Sequence, residues 1–199
     1  MKKILLASNN PGKVREIQAI LAEHDLTVIP QAEFRITDAE ETGLTFVENA
    51  ILKARHAARA SGLPAIADDS GLEVDVLDGA PGVYSARYAG EPSSDAANNE
   101  KLLAALAGVP PERRTARFRC VMIYLRHECD PSPIIAQGVW NGAILFEARG
   151  AGGFGYDPLF HVPEHGCASA ELDAAEKNRI SHRERALRAL ARALAARPG

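Results

Sequence analysis

The strongest constraint on the fold lies at the start of the chain, where two short apolar runs flank a helical repeat. Ile4 to Ala7 and Leu26 to Ile29 are apolar segments of the length expected for buried strands. Between them, Val14, Ile17 and Leu21 recur at the spacing of one helix face. The order strand, helix, strand predicts a βαβ-like opening, as in α/β folds.

Turn and capping signals predict the remaining elements. Thr45 to Glu48 has the form of a capping box, so a helix is expected from there to Gly62. The strand predicted at Pro64 to Ala67 is expected to end at the acidic pair Asp68-Asp69. The other predictions are a helix at 94–106, a strand at 115–125, a hairpin at 134–146 with Asn141-Gly142 as its turn, a glycine-rich loop at 150–155, and a terminal helix opened by a capping box at 181–184.

Composition predicts a single folded domain over residues 1–199. The chain is 46% apolar and 25% charged, which is typical of globular proteins with a buried core and excludes disordered or fibrous chains. Its net charge of −3 supplies no general attraction for nucleic acid or for an anionic membrane. We therefore expect no nucleic acid or membrane partner, and a polyanion must be held by local groups.

The cysteines and the hydropathy pattern indicate the cellular compartment in which the protein is expected. Cys120, Cys129 and Cys167 are odd in number and lack CxxC spacing, so neither a disulfide framework nor a thiolate zinc site is indicated. The run Ile4 to Ala7 is too short for a signal peptide, and no later run reaches the ~18 apolar residues of a spanning helix. The sequence predicts a cytoplasmic protein.

The segment Ser8-Asn9-Asn10-Pro11-Gly12-Lys13 lies between a predicted strand and a predicted helix. Backbone N–H groups and the helix dipole favour a phosphate there, while Ser8 and Asn10 add donors and Lys13 adds a charge. The segment is not a P-loop, because Val14 stands where a Ser or Thr would hold magnesium. An ordinary turn with a helix cap is the alternative.

Two acidic pairs, Glu40-Glu41 and Asp68-Asp69, are therefore the candidates for a metal ion. Magnesium prefers a few carboxylate oxygens completed by water and substrate phosphates. Because neighbours on an extended chain point to opposite faces, only one of Asp68 and Asp69 is expected to be catalytic. A solvated surface run is the alternative for Glu40-Glu41.

The stretch from Gly152 to Pro158 has the residue types of a ligand-binding loop. It combines backbone freedom with the rings of Phe154 and Tyr156 and the carboxylate of Asp157. Such a loop can approach a flat ligand and stack on it, and packing of the aromatic residues in the core is the alternative.

Three cationic side chains lie around the start of the terminal helix. Lys177, His182 and Arg183 stand where a cation opposes the helix dipole. This placement costs stability and suggests an anionic or acceptor-rich ligand.

Six segments together resemble the inosine/xanthosine triphosphate pyrophosphatase family. In order, they are SNNPGKVREI at 8–17, EETGLTFVENAILKA at 40–54, ADDSGLEVD at 67–75, GAPGVYSARYAG at 79–90, GGFGYDPLF at 152–160 and EKNRISHR at 176–183. They span nearly the whole chain, and the departure at Ser8, where many members carry Thr, keeps the hydroxyl.

The resemblance implies magnesium-dependent hydrolysis of dITP, ITP and XTP to the monophosphate and pyrophosphate, which prevents their misincorporation into DNA and RNA. It also implies an α/β fold with a mixed central sheet flanked by helices, elongated as two lobes around a central cleft. A homodimer is expected, and Pro81, Tyr84 and Tyr88 are candidates for either its interface or the cleft.

The resemblance also implies roles for individual residues. Ser8 to Lys13 hold phosphates, Asp69 acts as base and metal ligand, and Glu41 is the second metal carboxylate, with Glu40 as its rival. The implied nucleotide contacts are Ser70, Phe154, Gly155, Tyr156, Asp157, Lys177, His182 and Arg183. The donor that recognises a 6-oxo purine stays open between Arg183, His182 and a backbone N–H.

Two other functions compete with this prediction. A pyrophosphatase directed at pyrimidine nucleotides would keep the fold, but the segments FGYD and SHR favour a purine. A nucleotide sensor without turnover is the other alternative, and the presence of Asp69, Lys13 and the Glu40-Glu41 pair argues against it.

Overall fold

The computed structural model describes residues 2–21 and 26–196, which contain strands and helices in mixed order. The elements are β1 (Lys2–Leu6), α1 (Pro11–Leu21), β2 (Leu26–Pro30), α2 (Phe46–Ser61), β3 (Ala65–Val74), α3 (Asp95–Ala105), β4 (Thr115–Leu125), β5 (Ile134–Ile144), β6 (Phe160–Val162), β7 (Cys167–Ala168), α4 (Ala174–Ile180) and α5 (His182–Ala195). Within these described ranges, no helix has both the length and the apolar character needed to cross a membrane.

The described strands form one seven-stranded mixed sheet in the order β2-β1-β3-β4-β5-β6-β7. β1 is parallel to β2, with Ile4 opposite Val28, and parallel to β3, with Leu6 opposite Ile66. β6 is antiparallel to both β5 and β7. The predicted α/β class with a mixed sheet and a βαβ opening is confirmed.

The chain forms two compact units, and each combines distant stretches of sequence. The first contains Met1–Asp69, Cys120–Gly138 and Arg183–Gly199, and the second contains Ser70–Arg119 and Val139–His182. The division falls within β3, β4 and β5.

Each unit has its own apolar core. In the first, Ile4 and Leu6 of β1 pack with Ile17 of α1 and with Leu187 and Leu190 of α5. In the second, the fully or nearly fully buried residues include Leu72, Leu102, Leu106, Trp140, Tyr156 and Phe160. The apolar spacing that predicted α1 and α5 is therefore the spacing of residues that face a core.

Helix α2 begins and ends as its local sequence predicts. The Oγ1 of Thr45 accepts from the N–H of Glu48 at 3.3 Å, and the Glu48 carboxylate accepts from the N–H of Thr45 at 2.9 Å. Gly62 closes the helix with φ of 69°, in the left-handed region that favours glycine.

The strand predicted to end before Asp68 continues through the acidic pair. β3 runs unbroken to Val74, with Asp68 and Asp69 in its interior. The turn signal of Asp68-Asp69-Ser70-Gly71 is overridden, because both carboxylates have cationic partners and can lie in a buried strand.

The predicted hairpin at 134–146 is also wrong, since β5 is a single strand up to Ile144. Asn141-Gly142 lies inside this strand and makes no turn. A Cβ on Gly142 would collide with the carbonyl oxygen of His161 and lie 2.6 Å from the ring of Phe160. Glycine is therefore present because β6 approaches closely.

Candidate functional site

The segment after β1 forms a capped start of α1. Asn10 accepts at its backbone carbonyl from the N–H of Val14 at 3.0 Å. Its Oδ1 accepts from the N–H groups of Gly12 and Lys13 at 2.9 and 3.2 Å, and its own N–H donates to the Oγ of Ser8 at 3.2 Å. Because Asn10 satisfies two of the N–H groups that a helix start leaves free, the charge of Lys13 is the main attraction that this segment offers to a phosphate.

Two residues of this segment, Asn9 and Pro11, remain to be placed. The Asn9 amide donates to the Oδ1 of Asp38 at 2.9 Å, and the amide of Gln31 donates to the same atom at 2.7 Å. Pro11 is the first residue of α1, and its side chain lies outside the described part of the structure.

Asp68 is a buried carboxylate that anchors two cations of the predicted site. The Nζ of Lys13 donates to its Oδ2 at 2.8 Å, and the Nε of Arg183 lies 3.9 Å from the same oxygen. Burial alone would raise the pKa of Asp68, but Lys13, Arg183 and Lys53 outweigh it and hold that pKa well below its usual range. Asp68 is therefore charged at neutral pH.

Asp69 has the opposite pKa shift. Its Oδ1 accepts from the Nζ of Lys53 at 2.7 Å, while its Oδ2 is buried and has no hydrogen-bond partner within the described residues. Burial raises the pKa of Asp69, and the ammonium of Lys53 offsets only part of this effect. A carboxylate with a raised pKa and free lone pairs is suited to accept a proton from water.

Lys53 connects Asp69 to the acidic segment before α2. Its Nζ also donates to the Oε1 of Glu41 at 2.9 Å. Burial would lower the pKa of Lys53, but the carboxylates of Asp69, Asp68 and Glu41 outweigh it and raise that pKa to about 12. Lys53 is therefore a permanent cation between two carboxylates.

The structure distinguishes the two members of the Glu40-Glu41 pair. Glu41 contacts Lys53, whereas Glu40 is exposed. The following turn is fixed by Gly43, whose N–H donates to the Oδ1 of buried Asn49 at 2.8 Å. This arrangement favours Glu41 over Glu40 as a metal carboxylate, and the role stays a prediction.

The chemistry of this cluster fits magnesium. Glu41 and Asp69 each direct a carboxylate oxygen to the ammonium of Lys53, and the Oδ2 of Asp69 has no protein partner in the described ranges. Among those residues, no group of three or more His, Cys, Asp or Glu side chains could hold a metal. This donor set suits an ion that takes one or two carboxylates and completes its shell with water and phosphate oxygens.

The paired Asp68 leads to a prediction on stability. We expect Asp68→Asn to lower the free energy of unfolding by about 2 kcal/mol at pH 7, because the folded-state pKa of Asp68 is depressed. Such a group stabilises the fold above its unfolded pKa of about 4, and this contribution is lost as the pH falls through the folded value. Urea unfolding of both proteins in EDTA at about pH 7 and about pH 3 measures the difference, which should narrow at the lower pH. If the two proteins differed equally in the free energy of unfolding at both pH values, the depressed pKa assigned to Asp68 would be contradicted.

In the second unit, the segment from Gly152 to Pro158, called the aromatic loop below, is built around Asp157, which is 3% exposed. Its Oδ2 accepts from the N–H of Phe154 at 2.7 Å and from the Nζ of Lys177 at 2.6 Å, and its Oδ1 accepts from the Oγ of Ser169 at 2.9 Å. Phe154 is 56% exposed, and the Nζ of Lys177 lies 4.9 Å from the centroid of its ring. The loop thus presents one exposed ring and one cation on a buried carboxylate.

Other predicted nucleotide contacts are buried in the same unit. Tyr156 lies in the apolar core, its hydroxyl donates to the carbonyl of Ser85 at 2.7 Å, and burial raises its pKa. The ring of His182 stacks on Phe118 with centroids 4.9 Å apart and an interplanar angle of 14°. Ser70 is half-buried on β3. Tyr156 and His182 are held by packing, and their contact with a nucleotide stays a prediction.

Sequence reasoning did not assign a role to Lys53. In the structure, Asn49 and Lys53 are four residues apart on one face of α2, and Asn49 is fully buried. The sequence alone does not show this burial, so it carries no local signal for the role of Lys53.

Comparison with known proteins identifies the family of this chain. The family model of the Ham1 family matches residues 4–193. The chain belongs to the Ham1 family. The match covers nearly the whole chain, and together with the names of the relatives below it confirms the resemblance inferred from the sequence.

Similar proteins from two bacteria share the name of a nucleotide pyrophosphatase. A protein of Vibrio parahaemolyticus named dITP/XTP pyrophosphatase is 62% identical over 190 residues, which cover 96% of this chain and 95% of that protein. A protein of Thioalkalivibrio sulfidiphilus with the same name is 62% identical over 188 residues, which cover 94% and 96%.

Solved structures agree with the family and the fold. A HAM1 protein from Coxiella burnetii has a TM-score of 0.94 and 52% identity, with 99% of this chain and 100% of that chain covered. A protein from Mycobacterium abscessus, described as a nucleoside-triphosphatase / dITP/XTP pyrophosphatase, has a TM-score of 0.78 and 41% identity, with 94% and 98% covered.

Proposed function

We propose that this Ham1-family protein hydrolyses the nonstandard purine nucleoside triphosphates dITP, ITP and XTP to the monophosphate and pyrophosphate. The names of its relatives support this activity. The observation that carries the proposal is the buried Asp69, which has a raised pKa, a cationic partner in Lys53 and an Oδ2 without a hydrogen-bond partner among the described residues.

In this reaction Asp69 takes one proton from the attacking water. The water oxygen bonds to phosphorus on one side of the α–β anhydride, the anhydride P–O bond breaks, and the monophosphate and pyrophosphate separate. No covalent intermediate is required. Lys53 holds the carboxylate of Asp69 in place through the 2.7 Å contact with Oδ1, and Oδ2 has no hydrogen-bond partner within residues 2–21 and 26–196.

Magnesium is the proposed cofactor. Glu41 and Asp69 would hold it, with water and phosphate oxygens as the other ligands. When bound, it supplies positive charge that stabilises the phosphate oxygens during hydrolysis.

The segment Ser8 to Lys13 is proposed to hold the phosphates, chiefly through the ammonium of Lys13. Lys13 pairs with Asp68 at 2.8 Å, and this buried partner fixes the position of the ammonium before a phosphate arrives.

The base is proposed to be chosen by a donor to the 6-oxo group. Hypoxanthine and xanthine carry an acceptor where adenine carries an amino donor, so a donor from Arg183, His182 or a backbone N–H discriminates against ATP. Ser70, Phe154 to Asp157 and Lys177 are the other proposed nucleotide contacts.

The proposed setting is a homodimer that acts on free nucleotides in the cytoplasm, without a nucleic acid or membrane partner. Cys120, Cys129 and Cys167 form no disulfide in the described part of the chain, which agrees with a reducing compartment. The homodimer rests on the family resemblance alone.

Product analysis with a set of nucleotides tests the proposal. We expect the purified protein with magnesium to release pyrophosphate and monophosphate from ITP and XTP. It should release at least about 100-fold less from ATP, because a buried donor facing the amino group of adenine is left unpaired. It should also release less from dTTP, because its base is a pyrimidine. A preference for dTTP would support the pyrimidine-directed alternative. Tight ITP binding without turnover would support the sensor, and release of orthophosphate would contradict the proposed bond.

A further inference from the structure

Helix α3 holds Gly155, at the centre of the aromatic loop, by both of its backbone polar groups. The N–H of Gly155 donates to the Oδ2 of Asp95 at 2.7 Å, and its carbonyl accepts from the amide of Asn99 at 2.9 Å. Asp95 and Asn99 are four residues apart and share a helix face. The helix start is itself fixed by Ser94, whose Oγ accepts from the N–H of Ala97 at 3.3 Å.

The preceding residue, Phe154, is held from the other side of the loop. Its N–H donates to the Oδ2 of Asp157 at 2.7 Å, and its carbonyl accepts from the N–H of Asp157 at 3.2 Å. Gly153 and Gly155 have φ of 77° and 59°, so the chain turns sharply on each side of Phe154. The backbone around this residue is therefore fixed by Asp157 on one side and by α3 on the other.

The exposed ring of Phe154 depends on this backbone support. Because 56% of the residue is exposed, packing fixes its direction less than the bound backbone does. A stacking residue binds a flat ligand well only when its orientation is set in advance, since ordering it on binding costs free energy.

We propose that Asp95 and Asn99 are positioning residues that hold Phe154 in the orientation needed for substrate binding, an inference that rests on the proposed function. Neither side chain needs to touch the nucleotide. Asp95 contributes more than Asn99, because a charged acceptor forms the stronger hydrogen bond.

Two measurements on Asp95→Ala test the role. In the free protein, the amide of Gly155 should exchange with deuterium at least about tenfold faster, because its acceptor is gone. In steady-state hydrolysis of ITP, KM should rise about tenfold with kcat little changed, as expected when uniform binding is lost. Asn99→Ala should act in the same direction and more weakly.

The controls separate positioning from a general loss of structure. Asp95→Asn keeps an acceptor oxygen and should restore most of the KM. Glu100→Ala removes an exposed carboxylate from the same helix and should leave both the exchange and KM unchanged.

Each outcome decides the inference. Unchanged exchange at Gly155 would overturn the support by α3, whatever the activity. Faster exchange with an unchanged KM would overturn the role of this support in substrate binding. A wild-type protein that hydrolyses none of the nucleotides would overturn the proposed function, and with it the catalytic part of the inference, while the exchange data would still decide the structural part.

Discussion

Asp69→Asn is expected to lower kcat for ITP by at least about 10³-fold, because it removes both the proposed base and a proposed metal carboxylate. The same variant should unfold at an equal or higher urea concentration than the wild type when magnesium is removed with EDTA. The raised folded-state pKa means that the charge of Asp69 costs stability above that pKa, and the cost disappears as the pH falls through it. The neutral amide removes this cost at pH 7. Steady-state kinetics and urea unfolding measure the two effects.

A matched control for this variant is Glu40→Gln, which neutralises an exposed carboxylate of the neighbouring acidic pair. It should keep near wild-type turnover. A large loss of stability in Asp69→Asn would contradict this prediction, because it would show that the charged carboxylate of Asp69 stabilises the fold.

Lys53→Met should lower turnover by about 100-fold and also destabilise the fold, by about 3 kcal/mol at pH 7 in EDTA. The ammonium contacts Glu41 and Asp69, and the Lys53 side chain is 14% exposed, so its removal leaves largely buried negative charge without compensation. The pKa of Asp69 should rise further, since Lys53 is the main charge that lowers it. The stability penalty should therefore decrease as the pH falls and Asp69 takes up a proton.

Arg55→Met is the control, because it removes an exposed cation from the same helix. It should change neither turnover nor the pH dependence of unfolding. A Lys53→Met protein with wild-type stability at pH 7 would contradict the assigned charge balance of the cluster.

The parts of the fold that the sequence predicts correctly are governed by local signals. The capping box at Thr45 and Glu48 and the closing glycine at Gly62 define α2 from within a few residues. The apolar spacing of α1 likewise identifies a helix before its packing partners are known. In these segments, local preference and tertiary packing favour the same structure.

The two errors occur where tertiary contacts override a local turn signal. Asp68-Asp69-Ser70-Gly71 has turn composition, but the pairing of its carboxylates with Lys13 and Lys53 allows β3 to continue. Asn141-Gly142 has hairpin composition, but the glycine there makes room for β6. Both outcomes depend on residues far away in the sequence.

The sequence predicts which residue types form the candidate site better than it predicts which of these residues contact each other. The acidic pairs and Lys13 could be selected because carboxylates and a cation are needed for phosphate chemistry. The link through Lys53 could not, because it depends on the distance between α2 and β3, which no local pattern specifies. The support of the aromatic loop by α3 depends in the same way on long-range contacts.

Pyrophosphate release from ITP, measured side by side for the wild type and for Asp69→Asn, with ITP binding measured on both, tests the role of Asp69 most directly. We expect the wild type to release one pyrophosphate for each inosine monophosphate, and the variant to be folded and nearly inactive. Turnover of Asp69→Asn near the wild-type rate, or orthophosphate as the product of the wild type, would contradict this expectation.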